Sequence, residues 1–388
     1  MIPYARHIDD AIASHFSKYR EILILLGSRQ SGKTTLVRKI FPDAHYLLAD
    51  NEPVRKALES YDIHTYRALL PGGCDQIIID EIHQLSDPGR AAKIIYDQLP
   101  VKLILTGSSS FHLKRKTVES LAGRKIDYHL YPLTLSEHLY QNGTIDSLDF
   151  SFFTRLLTCP AREEARLFDL KAILSLVLIF GLYPNAINHP ADERYLVNFA
   201  ESLIFKDLLE MNLIENRKAA LDLLRLLAHQ TGNIISYAEL ASQIGADQRT
   251  IKRYIDIFEQ SFIVFRLSPF TGNRRNELVK SPKIYFYDTG IRNAIINNFS
   301  GFDSRSDRGA LFENFIIAEC VKANHYLQSG YTLHYWRTAQ KSEVDLVLVR
   351  GDEIVALEFK YNGGSFSRAF RDRYPSARTG VITAGNFF

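Results

Sequence analysis

A single stretch sets the fold class. Residues Glu21 to Ile40 read EILILLGSRQSGKTTLVRKI: an apolar run, then Gly27-x-x-x-x-Gly32-Lys33-Thr34, then a segment at helical spacing. An apolar strand delivered through a glycine-bearing loop into a helix is the opening of an α/β unit, and the loop is a complete Walker A pattern in its required setting. The glycines let the chain curl so that successive backbone N–H groups turn inward, and the helix start adds its positive dipole end. Such a cradle suits a triphosphate. Gly27, Ser28, Arg29, Gln30, Ser31, Gly32, Lys33, Thr34 and Thr35 are therefore the expected ATP-binding residues, with Lys33 reaching the β and γ phosphates and the Thr34 hydroxyl ligating Mg²⁺.

A second apolar run, Gln76 to Ile79, ends in Asp80-Glu81. Unbroken runs of this kind belong to parallel sheets covered on both faces. Behind an intact Walker A this is a Walker B pattern, with Asp80 in the magnesium shell and Glu81 polarising the attacking water. The strand Val101 to Thr106 leads into Gly107-Ser108-Ser109-Ser110, which places small hydroxyls at the carboxyl edge of the sheet; Ser108 or Ser109 is a candidate γ-phosphate sensor. Arg124, ahead of a strand from Lys125 to Tyr131, is a candidate for steadying transition-state charge, in cis or in trans from a neighbouring copy of a homo-oligomer.

The segments GSRQSGKTT, IIIDEIH, ILTGSSS, LAGR and YPLTLSEHL together resemble a family of prokaryotic AAA-type ATPases with a C-terminal domain of unknown function. The likeness continues in GLYP at 181–184, IFKDLLE at 204–210, SPKIYFYDTG at 281–290, RGALFENFI at 308–316 and SEVDLVL at 342–348, so it covers most of the chain. The resemblance implies ATP binding and hydrolysis. Ser28 departs from it, since many relatives carry proline there; the loop's amides, not that side chain, form the cradle.

Ser236 to Phe258 reads SYAELASQIGADQRTIKRYIDIF, two short amphipathic helices joined around Gly245, a helix-turn-helix pattern. Strand-like segments from Phe262 to Leu267 and Lys283 to Tyr287 come next, completing a winged helix. Net charge over the 388 residues is only +3, so any nucleic-acid reading must rest on local placement. Between Asp247 and Lys283 stand 8 Lys and Arg against 4 acids, the clearest positive patch. Arg249, Lys252, Arg253, Arg274 and Arg275 are the expected contacts to double-stranded DNA, mostly through phosphates. The alternative is a winged helix used as an ATPase lid or a protein contact, its charges solvated.

The last hundred residues place Glu313 in a helix-like run, Asp345 in the strand Glu343 to Val349, and Glu358-Phe359-Lys360 at the end of the strand Ile354 to Lys360. The order helix, three strands, helix, strand resembles the restriction-endonuclease-like superfamily. Period two puts Glu358 and Lys360 on one face, where Asp345 from the next strand joins them. Asp345 and Glu358 would hold Mg²⁺, Lys360 would help deprotonate water and Glu313 would brace the site. The alternative is a degenerate nuclease fold kept as a docking module, with Asp345 paired to Lys360.

These readings give an α/β chain in four parts: an AAA-type P-loop domain with a parallel sheet over 1–150, a helical connector over 151–215, a winged helix over 216–280, and a restriction-endonuclease-like α/β domain over 281–388. Three widely spaced cysteines, Cys74, Cys159 and Cys320, exclude a disulfide framework or a CxxC zinc site. The start MIPYARHIDD lacks a signal-peptide core, and the most apolar window, Ala172 to Tyr183, is too short to span a bilayer and reads as a buried helix stopped by Gly181 and Pro184. A cytoplasmic protein with no membrane partner is expected. Three functional classes remain open: an Mg²⁺-dependent ATPase whose nucleotide state governs a DNA-contacting half, an ATP-switched regulator or scaffold, and an ATP-regulated nuclease.

Overall fold

The computed structural model describes residues 3–108, 121–159, 170–209, 214–270, 281–338 and 340–388. Ser109, Arg274 and Arg275 lie outside them. Two compact units emerge, residues 1–132 with 260–262, and residues 133–259 with 263–388.

The first unit is built on five parallel strands: β1 (Ile22–Leu26), β2 (His45–Leu48), β3 (Gln76–Asp80), β4 (Lys102–Gly107) and β5 (Lys125–His129), in the order β2-β3-β4-β1-β5. Every residue of β1 is buried, as the unbroken ILILL run requires of a central strand covered on both faces. The ladder aligns Leu26 with Gly107 and Ile79 with Leu105, so β1, β3 and β4 all end on one edge. The glycine loop, Asp80-Glu81 and Ser108 stand at or just past those ends and therefore converge by topology alone. The short strand β2 was not read in the sequence.

The second unit has a mixed six-stranded sheet, β11-β10-β9-β8-β6-β7, from β6 (Val264–Pro269), β7 (Lys283–Phe286), β8 (Thr332–Arg337), β9 (Glu343–Arg350), β10 (Glu353–Phe359) and β11 (Arg378–Ile382). Trp336, Val344, Val347, Ala356, Phe366 and Phe370 form a core against it. A separate helical core joins Leu223, Leu227, Ile251, Ile255 and Phe258 with Tyr183, Phe199 and Ile291.

Both outer boundaries read from the sequence need correction. The break falls at residue 132 rather than 150, because the buried pair Glu319 and Lys322 grips the chain just beyond it: Leu135 N–H donates to Glu319 Oε2 at 2.8 Å, and Lys322 Nζ donates to the Leu133 carbonyl at 3.1 Å. No break falls at 280. Strand β6 pairs antiparallel with β7 and parallel with β8, so the expected wing and the expected nuclease-like sheet are one sheet.

Two of the family-like segments are structural locks. Gly181, with φ at +75°, ends the helix Leu170–Phe180, and a Cβ there would sit 2.1 Å from Asp288 Oδ1. Asp288 in turn accepts from Leu182 N–H at 2.6 Å and caps the helix Thr289–Ile295. GLYP and YDTG thus meet each other.

Candidate functional site

The Walker A loop is closed on itself. Gly27 passes so near β5's end that a Cβ would lie 2.1 Å from the Leu130 carbonyl, and Gly32, at φ +101°, opens the helix Lys33–Ile40. Only glycine meets both demands without strain. Lys33 is buried and its Nζ donates to the carbonyls of Gly27 and Ser28, each at 2.9 Å, so the ammonium lies across the loop. Arg6, outside any motif, is buried as well and donates to the Ser31 carbonyl at 2.9 Å and the Tyr131 carbonyl at 2.6 Å. It pins the segment before β1 to the loop.

Asp80 collects hydroxyl donors. Thr34 Oγ1 donates to its Oδ2 at 2.7 Å, Tyr46 OH to the same oxygen at 2.5 Å, and Thr106 Oγ1 to Oδ1. The expected pair Thr34 and Asp80 is brought together, and its oxygen donors suit a hard cation that keeps most of its ligands as water and phosphate. Burial and the Asp80 bond push the Tyr46 phenol well above its ordinary value, so it stays a donor. Among the described residues no group of three or more His, Cys, Asp or Glu side chains is placed to hold a metal ion.

Glu81 sits in the left-handed region at φ +55°, its N–H donating to Thr106 Oγ1 at 3.1 Å. That conformation costs a non-glycine residue on the order of 1 kcal/mol, a strain typical of functional positions. Burial raises the Glu81 pKa, against the opposing pull of Lys33. The one-turn helix Ile82–Gln84 then presents His83, whose Nδ1 lies 3.1 Å from Glu81 Oε2 and whose Nε2 shares a 3.2 Å hydrogen bond with Ser108 Oγ. Ser108 is thus at the carboxyl edge as expected, and it is buried.

Arg124 is elsewhere. Its carbonyl accepts from Ile22 N–H, which fixes it at the amino end of β1 and β5, the length of a strand away from the loop, and its side chain pairs with Asp97 at 3.0 Å. A five-residue strand is about 16 Å long, so no role at the phosphates in cis is compatible with this position.

In the second unit the helices Tyr237–Ile244 and Gln248–Gln260 flank Gly245, which is left-handed at φ +71°. Arg249 and Lys252 are exposed on the second helix, as expected. Among the described residues, which leave out Arg274, Arg275 and Lys280, the remaining charge is thinner than the sequence count. Arg253 pairs with Glu215 at 3.1 Å, Arg266 with Asp256 at 2.7 Å and with Glu259, and Lys283 is buried. A count along the chain cannot see these matches.

Lys283 instead belongs to the C-terminal carboxylates. Its Nζ lies 2.5 Å from Glu343 Oε1 and 3.3 Å from Glu313 Oε1, and Tyr285 OH donates to Glu313 at 2.5 Å. Burial alone would lower the Lys283 pKa; Glu313, Glu343 and Asp345 outweigh it and hold the pKa above the ordinary value. Strands β9 and β10 are antiparallel, and one step beyond their last pair, Leu346 with Leu357, stand Asp345 and Glu358. Asp345 accepts from Phe359 N–H at 2.8 Å rather than pairing with Lys360, which lies 3.5 Å from Glu358. Glu358 accepts from Ser367 N–H at 2.7 Å. Burial, then the charge of Glu313, raises the Asp345 pKa to about 7. The four expected residues are neighbours, but Lys283, unread in this role, fills the space beside them.

This parallel sheet, glycine loop and carboxylate-hydroxyl cluster define a P-loop nucleotide-binding domain. Comparison with known proteins carries this further: residues 19–139 match the AAA domain family, residues 171–301 a domain of unknown function (DUF8612) and residues 308–386 another (DUF4143). The chain is an AAA-type P-loop ATPase domain followed by those two domains. An uncharacterized protein of Mycobacterium tuberculosis is 26% identical over 362 residues, covering 90% of this chain and 73% of its own. One from Methanocaldococcus jannaschii is 27% identical over 364 residues, covering 85% and 73%. Among solved structures, a Walker-type ATPase of Pyrococcus abyssi aligns with TM-score 0.41 at 14% identity, over 76% of this chain and 99% of that one. No helix among the described residues is long and apolar enough to cross a membrane.

Proposed function

We propose that the protein hydrolyses ATP with Mg²⁺ and that its nucleotide state governs a C-terminal half that contacts double-stranded DNA. The observation that carries the ATPase reading is the convergence of Lys33, Thr34, Asp80 and Glu81 on one sheet edge. Loop amides hold the phosphates, and Lys33 exchanges its loop carbonyls for phosphate oxygens. Thr34 and Asp80 would hold the magnesium, which supplies charge neutralisation on the β and γ oxygens when bound. Glu81 orients the water. The water oxygen bonds to the γ phosphorus as the bond to the bridging oxygen breaks, its electron pair leaving on ADP and the water proton passing to Glu81.

The DNA part rests on exposed Arg249 and Lys252 on the second helix of the helix-turn-helix. The neutralised Arg253 and Arg266 and the buried Lys283 favour the competing reading, a nucleotide-switched regulator that grips a protein partner. A nuclease reading has less behind it, because an internal ammonium already matches the carboxylates near Asp345.

The test is phosphate release from Mg·ATP with and without duplex DNA, with Lys33→Ala as the control. DNA raising a Lys33-dependent rate several-fold supports the proposal; an indifferent rate favours the protein partner. Binding measured across salt adds a second check. Replacing both Arg249 and Lys252 by Ala should lower duplex affinity and flatten the logarithmic salt slope by about 2 if both meet phosphates.

A further inference from the structure

We infer that His83 is a positioning residue that couples the Ser108 hydroxyl to the Glu81 carboxylate, so that phosphate contact at Ser108 sets where the water-orienting group stands. The inference rests on the ATPase reading above.

Three observations carry it. Both ring nitrogens face polar partners on the same sheet edge, Nδ1 toward Glu81 at 3.1 Å and Nε2 toward Ser108 at 3.2 Å. The ring is confined, because its side chain is only 8% exposed and the preceding Ile82 is fully buried, anchoring the single helical turn that carries it. Finally, the Glu81 contact is close without being aligned as a hydrogen bond, so a small ring rotation makes or breaks it.

The chemistry follows from the donor inventory. A serine hydroxyl has one proton and a neutral imidazole has one N–H. With Ser108 donating to Nε2, the imidazole proton resides on Nδ1 and faces Glu81. When Ser108 instead donates to a γ-phosphate oxygen, Nε2 loses that bond and the rigid ring turns. Because both nitrogens belong to one planar ring, the change reaches Glu81. Gln84, whose Nε2 lies 3.5 Å from His83 Nε2, is placed to take up the vacated acceptor. The arrangement lets the carboxylate register an occupied γ site.

The experiment measures steady-state ATP turnover, nucleotide affinity and melting temperature for His83→Ala, His83→Gln, Ser108→Ala and the His83→Ala/Ser108→Ala double variant in the full chain. Expected is a fall in kcat of about tenfold or more for each Ala variant with KM changed by less than about twofold, the pattern of a lost transition-state contribution. The double variant should be no slower than the slower single, because both act through one link. Glutamine, with a donor and an acceptor on one planar amide, should restore most of kcat. The inference is overturned if His83→Ala leaves a Lys33-dependent turnover intact, if the losses multiply, if the change lies in KM alone, or if Gln restores melting temperature but not kcat. Absence of any Lys33-dependent turnover in the unaltered protein would sink the ATPase reading first and this inference with it.

Discussion

The two carboxylate sites of this chain solve the same electrostatic problem in opposite ways. Around Asp80 the donors are neutral hydroxyls from Thr34, Tyr46 and Thr106. Around Glu313, Glu343 and Glu358 the matching groups are cations of the chain itself, Lys283, Arg337 and Lys360. Hydroxyls are weak competitors for a carboxylate oxygen and leave its charge in place, so an external cation can still be accepted. A buried ammonium competes for those oxygens and makes the fold depend on it. Neighbouring carboxylates therefore do not imply metal chemistry until the cations around them have been counted.

The contrast is tested first where the expected effect is largest. Lys283→Met should destabilise the second unit by about 3–5 kcal/mol by taking the buried ammonium away from Glu313 and Glu343, visible as a lower urea midpoint. An unchanged midpoint would mean that the ammonium is not needed there. Lys33→Ala, or chelation of Mg²⁺, should cut phosphate release by at least about a hundredfold, roughly 2.7 kcal/mol of transition-state stabilisation. Residual Mg²⁺-independent turnover would undo the contrast from the other side.

Asp345 offers a finer test. Its folded pKa, about 7, lies above the ordinary 3.8, so the folded state holds the proton more tightly. Its contribution to stability is therefore full below about pH 4 and lost as pH rises through about 7. Asp345→Asn should flatten that window by on the order of 2 kcal/mol, less than the whole shift because the opposing charges of Glu313 and Lys283 both act on it. An identical pH profile in the variant would remove Asp345 from the cluster's balance. The smallest effect is expected at Arg124: replacing it with Ala should change turnover less than about twofold and stability by about 0–1 kcal/mol, as for an exposed ion pair. A large loss of turnover that a neighbouring copy's arginine restores in mixed assemblies would revive the trans role.

Legibility in the sequence divides along the same line. Walker A was legible because contiguous residues fix its geometry: Gly27, Gly32 and Lys33 carry their own instructions. Asp80 and Glu81 were legible because a buried parallel strand shows as an unbroken apolar run. Arg6, Tyr46 and His83 were not, since each is defined by a partner 25 or more positions away. Arg124 misled because adjacency to a strand does not say which end of the sheet it marks. Lys283 misled because charge along a chain is blind to depth. The helix pair around Gly245 was plain from period and glycine placement, whereas β2, with four residues, is too short to show a period.

Strand β6 has an evolutionary corollary. It hydrogen-bonds both to β7 and to β8, joining residues that a domain-by-domain reading would assign to separate modules. A recombination event at codon 281 would hand one descendant β6 with two bare edges and the other a sheet with a gap between β7 and β8. Lineages exchanging parts of this architecture should therefore inherit β6 through β11 together.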